Sequence, residues 1–264
     1  MIDFHNHILP NVDDGSKSLE MSLEMLTHAA DQGITDVVNT VHYQHPKVET
    51  EDISYNRIQS EVQKLQQELD KNDIHIKLHC GAEVLFLPNL IQIKDDPLST
   101  FNHGKYMLIE FQVHQLPDSH KQQLFDLKMA GVTPIIAHPE RYKPIQDDIN
   151  IVAEWLAAGC IIQVDAGSPL GYLGSGSEVA SEKIIKNGWC QIIGSDSHDN
   201  KRRNFCLFEA VELIQSWGEY DVDAMVQKNP QAVIDGTPIS VDFEYEQEQN
   251  SNFFSRIKDR IGLS

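Results

Sequence analysis

A parallel α/β fold, closed into a barrel rather than left as an open sheet, is what the sequence predicts, and three observations predict it. Short Val- and Ile-rich runs alternate with segments of helical period along almost all of the 264 residues, the pattern of consecutive βα units with parallel pairing and right-handed crossovers. The turn after the first run holds His5, His7 and Pro10, where a nucleotide-binding open sheet would favour a glycine-rich loop. Side chains able to hold metals gather at the ends of the runs, the place where βα-barrels build active sites.

Seven strands are expected, at 2–9, 36–43, 74–87, 106–112, 133–139, 160–166 and 191–198. Helices are expected at 19–32, with Leu19, Leu23, Leu26 and Ala30 on one face, and at 53–69, 120–130, 149–158, 179–186 and 203–217. Gly33, Gly131, Gly159 and Gly188 follow four of these helices, as residues that reach the left-handed conformation of a C-terminal cap without strain. No repeat and no low-complexity linker divides the chain, so residues 1–240 read as one catalytic barrel. The tail, 241–264, is an acidic linker and then an amphipathic segment. Phe253, Phe254, Ile257 and Ile261 share a helical face among Arg256, Lys258 and Arg260, suited to docking on the barrel or on a partner.

Charge and composition exclude several functions. Forty acidic side chains against 21 basic ones leave a net charge of −19, which repels nucleic acid and anionic lipid, since both are bound chiefly through Lys and Arg. Cys80, Cys160, Cys190 and Cys206 stand singly beside apolar stretches and read as reduced core thiols. A carboxylate and two imidazoles occupy the first seven residues, and nowhere do about 18 apolar residues follow one another. A cytoplasmic protein without an integral membrane segment is expected.

The chemistry begins with His5-Asn6-His7. Residues i and i+2 of a strand share a face, so the two imidazoles can grip one ion. Asp196-Ser197-His198 repeats the arrangement at the end of the seventh run, and His42, Glu83, Glu110 and His138 lie in or near the ends of the runs between, with Asp14 in the loop after the first. Nine nitrogen and oxygen ligands exceed what one ion takes, so two or three metals are implied. Such a cluster makes the pocket positive inside an acidic body, activates water near neutral pH and holds both oxygens of an in-line displacement, which suits a phosphate ester. Arg141 and Arg203 follow His138 and His198 closely enough to hold phosphoryl oxygens in a forked contact; Lys143 and Arg202 are weaker candidates. Other phosphatase chemistries fail. The residues six places after the cysteines are Phe86, Ala166, Asp196 and Glu212, not arginines, no phosphate-binding G-x-x-x-x-G-K-[ST] occurs, and Asp221-Val222-Asp223 sits in a polar helical stretch rather than at a strand end.

With these strings in place, the sequence resembles the PHP (polymerase and histidinol phosphatase) superfamily, and within it the bacterial manganese-dependent protein-tyrosine phosphatases of capsule and exopolysaccharide operons. The matching segments are Met1 to His7, Val12-Asp13-Asp14-Gly15, Thr40-Val41-His42, Gly81-Ala82-Glu83, Leu108-Ile109-Glu110-Phe111, Ile136 to Arg141 and Ser195 to His198. The resemblance implies a distorted (β/α)7 TIM-like barrel with a trinuclear centre at the C-terminal rim of the strands. By it, His5, His7, Glu83 and Asp196 bind the first ion, Glu83 bridges to a second held by Glu110 and His138, and Asp14, His42 and His198 bind the third. It implies three divalent ions, manganese foremost, with Fe, Zn, Co or Mg as alternatives. Turnover is expected to depend on Arg141, Arg203, His138 and Asp196, and phosphotyrosine to be hydrolysed by a metal-activated hydroxide. The expected partner is a phosphotyrosine-bearing protein, a tyrosine autokinase of polysaccharide export. The rivals are a histidinol-phosphatase-type phosphomonoesterase and a metal-dependent phosphodiesterase or nuclease, the last disfavoured by the charge.

Overall fold

The computed structural model describes residues 1–49 and 51–241. Its strands are β1 (Ile2–Asn6), β2 (Asp36–Tyr43), β3 (Lys77–Leu85), β4 (Tyr106–Glu110), β5 (Thr133–Ala137), β6 (Ile161–Asp165) and β7 (Ile192–Gly194). They pair in sequence order, each neighbour parallel. The helices are α1 (Leu19–Asp31), α2 (Tyr55–Lys71), α3 (His120–Met129), α4 (Lys143–Asp147), α5 (Asn150–Ala157), α6 (Ser175–Lys186), α7 (Leu207–Trp217) and α8 (Asn229–Asp235). Gly33, Gly131, Gly159 and Gly188 all take positive φ just past a helix, so the four caps form as expected.

Some boundaries differ from expectation. The crossover from β3 to β4, where no helix was expected, carries only a 3-10 turn at Leu90–Ile93. The short α4 and α8 carry too few turns for a sequence period to mark them. Helix α6 starts at Ser175, four residues early. The amphipathic segment at 253–261 lies outside the described residues.

Strand alternation sorts the interior into two layers. Val37, Val41, Ala82, Val84, Met107, Ile109, Ile136, Ile162, Val164 and Ile193 face outward and pack under the helices. Inside, Ile2, Phe4, Val38, Leu108, Ile135, Ile161 and Ile192 fill the N-terminal half of the barrel, and Phe101 and Val233 plug it from below. At roughly 1.5–3 kcal/mol for each large buried side chain, this floor anchors the fold. Further along the same inward rows come Thr40 and His42 on β2, Glu83 on β3, Glu110 on β4, and Gln163 and Asp165 on β6. Apart from Glu110, which is slightly exposed, all are buried.

β1 serves both layers only because it breaks register. Asp3 pairs with Val37, yet Asn6 pairs with Asn39, so one extra residue bulges from β1. Phe4 joins the floor and His5, its neighbour, still turns inward, with Nδ1 2.9 Å from Gln163 Oε1. On an unbroken strand Phe4 and His5 would face opposite sides.

The barrel closes where the ends of the chain's strand series meet. Asn6 bridges Ser197, Asp196 N–H donates to His5 O at 2.7 Å and His7 N–H to Ser197 O at 2.8 Å. The buried Asp3 carboxylate accepts from the Ser195 N–H at 3.1 Å and from Ser195 Oγ at 2.5 Å, and burial pushes its pKa up to about 6. Gly194 makes the approach possible, because a Cβ there would lie 2.8 Å from His5.

Candidate metal centre

All nine side chains expected to bind metal meet at the C-terminal mouth of the barrel. Ligand-type atoms of His7, Asp14, His42 and His198 lie within 4.8 Å of one another, as do those of His5, His7 and Asp196, of His5, Glu83 and His138, and of His42, His45 and Glu110. Glu83 sits at the middle, its oxygens 2.9 Å from His138 Nε2, 3.1 Å from His42 Nδ1, 3.4 Å from His5 Nε2 and 3.5 Å from His7 Nε2. Glu110 is the most eccentric, 3.9 Å from both His42 and His138.

Asp196, His198 and His138 reach the mouth by a route other than the strand spacing expected. β7 ends at Gly194, so Asp196 and His198 are not on a strand; Asp196 takes φ +44° and turns back over the mouth. His138, just past β5, takes φ +33°. Left-handed backbone at a residue with a Cβ costs about 1–3 kcal/mol and persists where the surroundings hold it; here closure of the barrel and the turn at Pro139 do so.

The imidazoles are aimed by partners behind them. Nδ1 of His5 donates to Gln163 Oε1 at 2.9 Å, Nδ1 of His7 to Asp13 Oδ2 at 2.8 Å, and Nδ1 of His198 to the Asp196 carbonyl at 2.8 Å. Each fixes a tautomer with a bare Nε2 toward the centre, the usual arrangement of metal-binding histidines. Asp13, beside Asp14 in sequence, is therefore an orienting carboxylate, and Gly15 lets its loop fold onto His7, where a Cβ would stand 2.1 Å from His7 O.

The centre tests well against divalent cations. His5 Nε2, His7 Nε2, His198 Nε2, His42 Nδ1, Asp14 Oδ1, Glu110 Oε2 and Asp196 Oδ1 are all buried without a hydrogen-bond partner. Orphaned buried polar atoms are rare and expensive, and seven converging on one cavity fit an oxygen- and nitrogen-seeking ion. Burial raises the Glu83 pKa, but the surrounding His5, His138 and His42 pull it well below the usual carboxylate range. Burial and then the Glu83 charge push Glu110 up to about 7. Burial and then the Arg141 charge lower His138 to about 4. The Glu110 shift marks carboxylates crowded together, a repulsion that cations would relieve.

Arg141 and Arg203 both reach Asp196 Oδ2, Arg203 Nη2 at 2.5 Å and Arg141 through Nη1. Lys143 instead pairs with Asp147 on the surface, and Arg202 is exposed. Besides the orienting Gln163 and Asp13, four residues were not anticipated. Asp165, at the end of β6, lies 3.5 Å from Arg141 Nη1. Glu140, fully buried, receives the Asp165 N–H at 2.9 Å and Ser168 Oγ at 2.7 Å, and burial followed by the Asp165 charge raises it to about 8. Lys47 Nζ stands 2.7 Å from Asp14 Oδ2 and 3.0 Å from His42 Nε2. His45 stacks on His42 with ring centroids 4.6 Å apart. Asp165 had a legible signal, an acid two residues beyond the inward Gln163; the other three depend on loops whose paths the sequence does not encode by period.

The sequence pattern of the family described as capsular polysaccharide synthesis, CpsB/CapC, matches residues 1–235. The chain belongs to the CpsB/CapC family. CapC of Staphylococcus aureus is 31% identical over 255 residues, 96% of this chain and 99% of that one. The tyrosine-protein phosphatase YwqE of Bacillus subtilis (strain 168) is 29% identical over 235 residues, 89% of this chain and 91% of that one. A crystal structure from a study of YwqE and of CpsB from Streptococcus pneumoniae, described as metal-dependent tyrosine phosphatases, superposes with a TM-score of 0.83 at 28% identity, over 91% of this chain and 96% of the other. More distant is the histidinol phosphate phosphatase of Lactococcus lactis, at 16% identity and a TM-score of 0.54, a likeness of fold alone. This CpsB/CapC member has no described helix long and apolar enough to cross a membrane.

Proposed function

We propose that this CpsB/CapC protein is a metal-dependent protein-tyrosine phosphatase that hydrolyses phosphotyrosine at the mouth of its barrel. One observation carries the reading: seven orphaned ligand atoms converge beside two arginines tethered to the same carboxylate. Its relatives are named for the same activity.

His5, His7, Glu83 and Asp196 would hold a first divalent ion, Glu83, Glu110 and His138 a second, and Asp14, His42 and His198 a third, with manganese the first metal to try. Such ions supply Lewis acidity and bring water to its nucleophilic state near neutral pH. The chain's own residues do the rest. Arg141 and Arg203 bind the phosphoryl oxygens in a forked contact and balance the charge that grows on them. Asp165 keeps Arg141 aimed when Asp196 is engaged elsewhere. Gln163, Asp13 and the Asp196 carbonyl hold three imidazoles in orientation, so little reorganisation accompanies the reaction. Residues 1–240 form the catalytic unit, the protein works in the cytoplasm, and its substrate is the phosphorylated tyrosine segment of a polysaccharide-export autokinase.

The test is a substrate panel on manganese-loaded protein: phosphotyrosine peptide, phosphoserine peptide, histidinol phosphate and single-stranded DNA, each with and without chelator. The phosphotyrosine peptide is expected to be turned over fastest, and only with metal. Turnover that persists after exhaustive metal removal, or a preference for histidinol phosphate, defeats the reading.

A further inference from the structure

His45 sits where a tenth metal ligand would be assigned. Gln44 takes φ +57° and reverses the chain after β2, folding the His45 ring back over His42 at an interplanar angle of 25°. Its side chain is 17% exposed, and Nε2 lies 3.8 Å from Glu110 Oε2, an oxygen with no hydrogen-bond partner.

The other ring nitrogen decides against ligation. Nδ1 of His45 accepts the Lys47 N–H at 3.0 Å, in the turn that opens the 3-10 segment Pro46–Val48. A nitrogen that accepts a backbone N–H carries no proton of its own, so the neutral ring has its proton on Nε2. His5, His7 and His198 are the reverse, with Nδ1 donating and Nε2 bare. His45 thus presents an N–H to the mouth where the others present a lone pair.

The strands run in order around the barrel. Arg141 and Arg203, held at Asp165 and Asp196 after β6 and β7, stand on one side of the mouth, and His45, between the ends of β2 and β4, stands on the other. With the arginines on the phosphoryl oxygens, the acceptor left for His45 is the bridging ester oxygen. We propose that His45 is a catalytic hydrogen-bond donor to the departing phenolic oxygen and not a metal ligand. This rests on the phosphotyrosine reading above. Water adds to phosphorus and loses a proton to solvent. The P–O bond breaks and its electron pair leaves with the phenolate, which the Nε2–H stabilises and which then takes a proton from water; His45 keeps its own. A phenol of pKa about 10 needs such a contact more than a less basic leaving group does.

The experiment compares wild type, His45→Ala and His45→Gln, each manganese-loaded, on a phosphotyrosine peptide and on p-nitrophenyl phosphate, with bound metal counted by elemental analysis. For His45→Ala, metal per chain is expected to equal wild type, while kcat/KM falls about 100-fold on the peptide and less than about tenfold on the nitrophenyl ester. Gln, which can donate from its amide, recovers part of the loss. Loss of a metal equivalent, an equal fall on both esters, or unchanged kinetics overturns the proposal. Wild type that is inactive on phosphotyrosine fails the underlying reading instead, and shows it before any variant is compared.

Discussion

The floor and the rim of the barrel are built by the same seven strands and obey opposite rules. In the floor, Ile2, Phe4, Val38, Leu108, Ile135, Ile161 and Ile192 bury apolar surface with nothing left unpaired. One or two steps further along, His5, His42, Glu83 and Glu110 hold polar atoms out of water, and His5 Nε2, His42 Nδ1 and Glu110 Oε2 lack a partner. The difference teaches that the floor stabilises a mouth that would not stand alone, and that the chemistry is placed where the strands stop being self-sufficient.

Substitutions in the two layers are expected to separate stability from turnover. The largest effect is at the rim: His138→Ala is expected to lower phosphotyrosine turnover by about 10 000-fold, roughly 5.5 kcal/mol, while circular dichroism still reports a folded barrel. If the barrel unfolds, the two layers are one cooperative unit and the contrast is broken. Next comes the floor. Phe4, fully buried and 5.3 Å from the Phe101 ring centroid, is expected to cost about 3–5 kcal/mol as Phe4→Ala in urea unfolding, with the folded fraction retaining most of its kcat. Arg141→Ala follows, with a loss of about 100- to 1000-fold in kcat/KM, roughly 3–4 kcal/mol, and normal metal content; unchanged kinetics would remove Arg141 from the site.

The smallest effect concerns pH. Burial and the Asp165 charge hold Glu140 at about 8, above its ordinary 4.5, and its Oε2 has no partner. Between these values the folded chain binds the proton and the unfolded chain does not. The stability this gives is therefore full below about pH 4.5 and is lost as pH rises through about 8. Glu140→Gln is expected to flatten that decline in Tm and to leave the floor untouched. Parallel Tm curves for the two proteins would show that Glu140 is ionised in the fold.

The sequence displayed the strands because their apolar runs are short and bounded by glycine caps, and it displayed the nine convergent side chains because most sit near strand ends. It hid the local devices. The β1 bulge depends on pairing with β2, and no alternation rule read from 2–9 alone places Phe4 and His5 on the same side. Asp196 and His138 reach the mouth by positive φ rather than strand spacing, because closure against Asn6 at the one and the turn at Pro139 at the other override the preference of a residue with a Cβ. His45 and Lys47 lie in a loop reversed at Gln44, and a reversal of that kind has no periodic signature.

The clamp of Asp3 on Ser195 joins residues 192 apart in sequence. A ribosome that has delivered six of the seven strands has delivered His5 and His7 but neither Asp196 nor His198, and contacts so remote are among the slowest to form. Nascent chains consequently carry only part of the cage, and a metal ion captured tightly enough to be retained becomes a report that synthesis has passed the last strand.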